Sequence, residues 1–280
     1  MRPSQKYSSA RLGVLRPANT LIARRNMGNI PPHASGFSAR MPSQPPQSYF
    51  SDDLRMKFTI LGSGTCVPRK DAGTAGYLVQ TKNKNILMDG GSGTLDRLAN
   101  TQVSYKEIDM MIVSHFHPDH TLTIPALCQS LNFTPQYNRT KPLFLAGPPG
   151  FKTFWEQINV VWNCAPRPDT YEIKVFEISG RADFQGLAIT TLVYPEGVHY
   201  GSCQAIKIEE DGKSLVYTGD MGYWEGIVDF ARGCDVLIAD CSYPVKDTPG
   251  HLSLPSVMKL AGKIQPRAVI LSHLYYPRKK

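Results

Sequence analysis

Apolar positions change their period along the chain, and those changes mark its elements. Short apolar or alternating runs bounded by Gly, Pro, Asn or Asp predict strands. They fall at 57–61, 76–81, 85–88, 110–114, 142–146, 171–178, 187–194, 204–209, 214–218, 236–239 and 268–272. Gly62-Ser63-Gly64 turns the chain after the first, and Asp211-Gly212 is a hairpin turn between 204–209 and 214–218. Longer segments predict helices at 94–100, 122–132, 150–161, 223–232 and 253–264. Pro125 stands near the first turn of the second helix, where proline is tolerated. Strands that alternate with helices predict an α/β (α+β) fold, with sheets covered by helices on their outer faces. No internal repeat is visible.

At 280 residues the chain can build one sizeable core or at most two small domains. No run approaches the roughly 18 to 20 apolar residues of a membrane helix, so no membrane partner is expected. The net charge of +8 is unevenly placed. Residues 1–55 carry eight Lys and Arg against Asp52 and Asp53, whereas 56–280 carry 23 against 21. The near-neutral remainder shows no strong electrostatic footprint for nucleic acid.

Residues 1–55 have no acidic residue before Asp52 and are interrupted by Pro42, Pro45 and Pro46. Three readings compete for them: a disordered tail, an organelle transit peptide, or an upstream extension ahead of a start at Met56. No compact apolar segment follows the arginines, which argues against a secretory signal. The expected organisation is a disordered or transit-like 1–55 and one folded domain at 56–280. The expected location is the cytoplasm, or a mitochondrion or other organelle if 1–55 is cleaved. Six cysteines without a CxxC pair read as small buried residues in a reducing compartment. Trp155, Trp162 and Trp224 are expected in the core.

Candidate chemistry sits directly after the apolar run 110–113. Ser114-His115-Phe116-His117-Pro118-Asp119-His120 holds four potential metal ligands, and a strand ending in such a loop can aim them at one point. Imidazole nitrogen and carboxylate oxygen suit Zn2+, and also Mn2+ or Fe2+. Of the seven histidines, His199, His251 and His273 follow where other strands or loops end, and His33 alone lies in the tail. Asp89, Asp220 and Asp240 also fall at strand ends, where α/β scaffolds gather their sites.

The ordered set Asp89, His115-x-His117-x-Asp119-His120, His199, Asp220 and His273 resembles the metallo-β-lactamase superfamily. The likeness covers roughly residues 56–277. The resemblance implies a four-layer αββα sandwich with two mixed β-sheets and two Zn2+ ions at one edge. It implies that His115, His117 and His199 form one metal site, that Asp119, His120 and His273 form the other, and that Asp220 bridges them. The metals would share a water whose pKa falls towards neutrality, giving a hydroxide nucleophile. Asp89 would orient the histidine loop from behind the ligands or cap the glycine-rich turn that follows it.

Within the superfamily the sequence is most similar to ribonuclease Z and related phosphodiesterases. The likeness is carried by Phe58 to Thr65, by Leu237-Ile238-Ala239-Asp240-Cys241-Ser242-Tyr243, and by Gly250-His251-Leu252-Ser253 before Leu271-Ser272-His273. It implies that His251 helps the leaving oxygen depart, supported by Asp240, so Asp119, Asp240 and His251 join the expected catalytic set. Twenty residues separate His199 from Asp220, where ribonuclease Z commonly inserts a long tRNA-clamping arm. Thr123 replaces a frequent family glycine, and the chain stops seven residues after His273, which suggests a shortened C-terminus. The expected function is a dinuclear zinc phosphodiesterase, with tRNA 3′-end processing as one subclass. The alternatives are a lactone, thioester, sulfate-ester or cyclic-nucleotide hydrolase with the same metals, and a non-catalytic binding protein. RNA and a second copy of the chain are candidate partners.

Overall fold

Alternation of apolar side chains sends them to both sides of each sheet, and three separate cores result, one between the sheets and one on each outer face. The computed structural model describes residues 22–25, 37–40, 56–70, 72–165 and 170–275. One sheet has six strands in the order β3(Lys57–Gly62), β4(Gly76–Gln80), β5(Asn85–Gly90), β6(Met110–Ile112), β7(Leu143–Gly147), β8(Ile173–Glu177). Its first three strands are antiparallel and the rest parallel.

The other sheet contains β9(Gly180–Phe184), β10(Leu187–Val193), β11(Gln204–Glu210), β12(Lys213–Tyr217), β13(Val236–Asp240) and β14(Ala268–Ser272). Here β9 to β12 form an antiparallel meander, and β12, β13 and β14 run parallel. At its far edge β1(Ile22–Arg25) pairs antiparallel with β14, and β2(Phe37–Arg40) pairs with β1. Apart from these two strands, the tail expected at 1–55 lies outside the described residues.

Between the sheets, Tyr77, Met88 and Ile112 meet Ile206, Tyr217, Ile238 and Ile270. The intervening residues point the other way. Leu78, Leu87 and Met111 pack beneath α3(Thr123–Phe133) and α4(Phe151–Trp162). Val216, Leu237 and Val269 pack beneath α5(Ile227–Ala231) and α6(Leu254–Ile264). The result is the expected four-layer αββα sandwich. Two short helices, α1(Thr94–Leu98) and α2(Pro118–Thr121), lie on the first sheet's side. The parallel strands β6, β7 and β13 are buried along their whole length, as strands covered on both faces must be.

One buried cation belongs to this framework. Arg139 donates to the carbonyls of Lys141, Lys106, Ile108 and Pro142, and it lies over the Tyr171 ring. It ties the connection before β7 to the one before β6. Five cysteines are buried as expected, but Cys66 is exposed. Trp162 departs from its expected core position and is 42% exposed at the end of α4. Among the described residues no helix is long and apolar enough to cross a membrane.

Candidate metal centre

The parallel strands of both sheets end at one edge, and their C-terminal loops supply the expected residues. From the first sheet, β5 delivers Asp89, and β6 leads into Ser114 and the histidine loop. His117 caps α2, with Pro118 at its first position, so Asp119 and His120 occupy a single helical turn. From the second sheet come Asp220 after β12, Asp240 at the end of β13 and His273 just past β14. His199 lies between β10 and β11, and His251 precedes α6.

The two sheets approach closely here. Gln204 donates from its backbone to the Ser114 carbonyl and from its side chain to that of Val113. Gly219 has φ 61°, and a Cβ there would sit 2.7 Å from Cβ of Ser114. Only glycine fits both that conformation and that gap.

Two donor groups share one carboxylate. His115, His117, His199 and Asp220 offer ligand atoms that all lie within 4.8 Å of one another. His115 Nε2 is 3.0 Å from His117 Nδ1 and 3.7 Å from Asp220 Oδ2. Asp119, His120 and His273 form another such group. His273 Nε2 stands 3.4 Å from Asp119 Oδ2 and 3.1 Å from Asp220 Oδ2, and His120 Nε2 stands 3.5 Å from the same Asp220 oxygen. Asp220 Oδ2 therefore lies between the two groups, as a bridging oxygen would.

The remaining hydrogen bonds separate ligands from supports. Asp89 Oδ1 accepts the Ser114 backbone N–H at 2.7 Å. Its Oδ2 accepts from Ser114 Oγ and His120 Nδ1 at 2.7 Å and from Tyr217 Oη at 2.8 Å. Asp240 accepts from Ser242 Oγ, from the backbone N–H groups of Met221 and Leu252, and from His251 Nδ1 at 3.2 Å. Both carboxylates are saturated by protein donors, so they orient neighbours and have little left for an ion. Asp220 Oδ1, His120 Nε2, His273 Nε2 and both His199 nitrogens are buried without any hydrogen-bond partner. Buried polar atoms are rarely left so. Orphaned imidazole and carboxylate atoms converging on two points are the donor chemistry a divalent cation takes.

A second ring of residues fixes the imidazoles. His115 Nδ1 meets Ser114 Oγ at 3.0 Å, His120 Nδ1 meets Asp89, and His273 Nδ1 meets Ser242 Oγ at 2.9 Å. Each contact ties down Nδ1 and leaves Nε2 facing the centre. Ser114, Tyr217 and Ser242 were not singled out from the sequence. Small hydroxyl residues beside a ligand motif carry little signal until the strands are paired. Asp89 and His273 hold left-handed backbone, at φ 50° and 57°. Neither is glycine, and such strain concentrates where side chains are needed for function.

Electrostatics divide the histidines. Burial pulls His115 well below the ordinary imidazole range, helped by the neighbouring His120. Burial also brings His199 down to about 4 and lowers His117, against the pull of Asp220. His120 goes the other way. Burial opposes its charge, but Asp220 and Asp89 outweigh that and hold it well above its usual value. Asp220 is depressed despite burial because His273 and His120 face it, and Asp119 likewise by His273 and His120. The carboxylate side of the centre thus favours positive charge, while the His115–His199 side offers neutral nitrogen lone pairs. Both conditions suit a cation.

His251 stands beside these groups, 3.9 Å from Asp220 through Nδ1, and its ring stacks on that of His273 at 5.0 Å. Burial raises Asp240. Burial alone would lower His251, but its hydrogen bond to Asp240 raises it. The hydrogen bond to Asp240 thus favours the protonated form of His251.

The model of the β-lactamase superfamily domain matches residues 84–274. The probable metallo-hydrolase YhfI of Bacillus subtilis is 27% identical over 227 residues, covering 78% of this chain and 87% of that protein. Ribonuclease Z of Methanosarcina mazei is 24% identical over 272 residues, with the same coverage of each. The crystal structure of YhfI superimposes with a TM-score of 0.68 at 24% identity, over 80% of this chain and 88% of that one. The chain belongs to the metallo-β-lactamase superfamily of hydrolases, near its ribonuclease Z branch.

Proposed function

We propose that the protein is a dinuclear zinc phosphodiesterase of ribonuclease Z-like type. His115, His117 and His199 would hold one ion, Asp119, His120 and His273 the other, with Asp220 between them. Bound there, two divalent ions would supply Lewis acidity and a water that ionises near neutral pH. The side chains do the rest. Asp89, Ser114 and Ser242 hold the imidazoles in register. Asp119 and Asp220 place negative charge at the centre.

The observation that carries the reading is the His251–Asp240 pair. Its imidazole is partly exposed at the edge of the centre. Its Nδ1 is taken by Asp240 and Ser242, so Nε2 is the nitrogen that can meet a substrate. When a phosphodiester is cleaved, the departing alkoxide is a poor leaving group until it receives a proton. An imidazolium held ready by a buried carboxylate supplies that proton. The likeness to ribonuclease Z supports the same chemistry, although at low identity. The interval from His199 to Asp220 is taken up by β11 and β12 inside the sheet, which favours a small phosphodiester over a whole tRNA.

The test is hydrolysis of bis(p-nitrophenyl) phosphate, with metal content measured on the same sample. Turnover with about two ions per chain, abolished by a chelator, is the expected result. Two ions with no diester turnover, but hydrolysis of a lactone or thioester, would overturn it in favour of a different ester.

A further inference from the structure

We propose that Tyr200 is a stacking platform for a planar ring carried by the substrate, which makes the substrate a nucleoside phosphate ester. The inference rests on the phosphodiesterase reading above and names its substrate class.

Tyr200 is 64% exposed. Single exposed aromatics are ordinary on a protein surface, so position must carry the argument. Tyr200 directly follows His199, a member of the donor group, and the two rings lie 6.3 Å apart. One side of the Tyr200 ring rests on Gly250, where an added Cβ would meet its Cδ2 at 3.3 Å. Gly250 immediately precedes His251. The ring thus sits at the rim of the centre, on the side where the leaving group is protonated.

The loop is shaped to hold it there. Gly197 and Gly201 bracket the His199-Tyr200 pair with φ of 86° and 78°, and no atom crowds either glycine. The turns therefore serve backbone direction rather than packing. With His199 committed inward, its neighbour is left at the rim.

The surroundings are of the same character. Tyr243 and Tyr275 stack on each other and flank His251 at 6.5 and 6.1 Å. Leu122, two residues after His120, and Val245, between Asp240 and His251 in the chain, are exposed as well. A rim of apolar and aromatic side chains around a phosphoester centre suits a ligand with a charged phosphate and a flat ring. Every nucleobase presents such a face.

Isothermal titration calorimetry of the full chain tests this with adenosine 5′-monophosphate, ribose 5-phosphate and octyl phosphate. The wild type is expected to bind the nucleotide about tenfold more tightly than the sugar phosphate, the order set by one base–aromatic contact. Tyr200→Ala should erase that preference and leave sugar-phosphate affinity unchanged. Tyr200→Phe should keep it, because stacking does not need the hydroxyl. An unchanged thermal midpoint checks folding. Equal wild-type affinity for nucleotide and sugar phosphate overturns the platform alone. A preference that survives Tyr200→Ala does the same. Octyl phosphate binding as well as the nucleotide, with the same loss in Tyr200→Ala, would make the rim a plain apolar surface. Failure of all three ligands to bind would remove the phosphoester reading as well.

Discussion

Replacing Asp89 with Asn changes one oxygen to nitrogen and keeps the shape. Asp89 is fully buried and accepts four hydrogen bonds, three of them on Oδ2. An asparagine must turn its amide towards one side. Facing the Ser114 backbone N–H, it sets donor against donor. Facing Oδ2's partners, it meets two hydroxyls that can rotate and His120 Nδ1, which must then accept. That second arrangement moves the His120 proton to Nε2, the atom aimed at Asp119 and Asp220.

Either way one buried donor is left unmatched, worth about 1–3 kcal/mol. For a domain of this size that lowers the melting midpoint by roughly 2–10 °C. Supports of metal-ligating histidines typically change affinity by about 10- to 100-fold. Asp89→Asn should therefore weaken the ion held by His120 by that factor, and the ion held by His115 less, through Ser114. Zinc titration under a competing chelator measures the affinities, and thermal melts of the metal-free protein measure the stability. Two ions with unchanged affinity and an unchanged melt would refute the argument.

His117→Ala should lose one ion per chain and the activity with it, and a variant retaining both ions by elemental analysis would contradict the assignment. His251→Ala should keep both ions yet turn over at least about 100-fold more slowly. It should also lose the basic limb of the pH–rate profile, because a raised His251 surrenders its proton only as pH climbs; wild-type rates would make that histidine structural. The His199 imidazole titrates at about 4 when folded and near 6.5 when unfolded, so the unfolded chain binds that proton first. Its contribution to stability is full above pH 6.5 and fades as pH falls through 4. The denaturation midpoint of the metal-free protein should drop across that window, less steeply in His199→Gln, and parallel curves would refute this. His120 does not interfere there, since its raised value places its own loss of stability above pH 6.5. Arg139→Met should cost about 3 kcal/mol or more, because four carbonyls lose a charged donor; denaturant unfolding within 1 kcal/mol of wild type would show that those carbonyls find other partners.

The histidine and aspartate cluster was legible because its chemistry is dense. Few arrangements other than a metal centre explain His115, His117, Asp119 and His120 within six residues, and the structure brings His199, Asp220 and His273 to the same place. Strands buried on both faces were also legible: 236–239 and 110–114 differ from β13 and β6 by one or two residues. The strand β9, Gly-Arg-Ala-Asp-Phe, was not predicted. It is a mostly exposed edge strand whose pairing with β10 supplies what its own propensity lacks. The helix expected at 223–232 shrinks to Ile227–Ala231, and the Trp224 ring folds over Gly226 at its start. The supporting hydroxyls of Ser114, Tyr217 and Ser242 depend on partners 25 to 128 residues away or on the loop's final path. No local pattern encodes them.

Residues 57–177 build one sheet, and residues 180–272 supply most of the other. The donors divide along the same line, with His115, His117, Asp119 and His120 in the earlier half and His199, Asp220 and His273 in the later one. Neither half owns the complete donor set. During synthesis the earlier half emerges first, before the sheet that covers its inner face exists. An ion binding at that stage would meet three imidazoles and a carboxylate without the finished geometry that chooses among metals. Selectivity would arrive only when the later half docks and completes the donor set. With such an ion bound across both halves, its free concentration would become a term in how firmly they hold together.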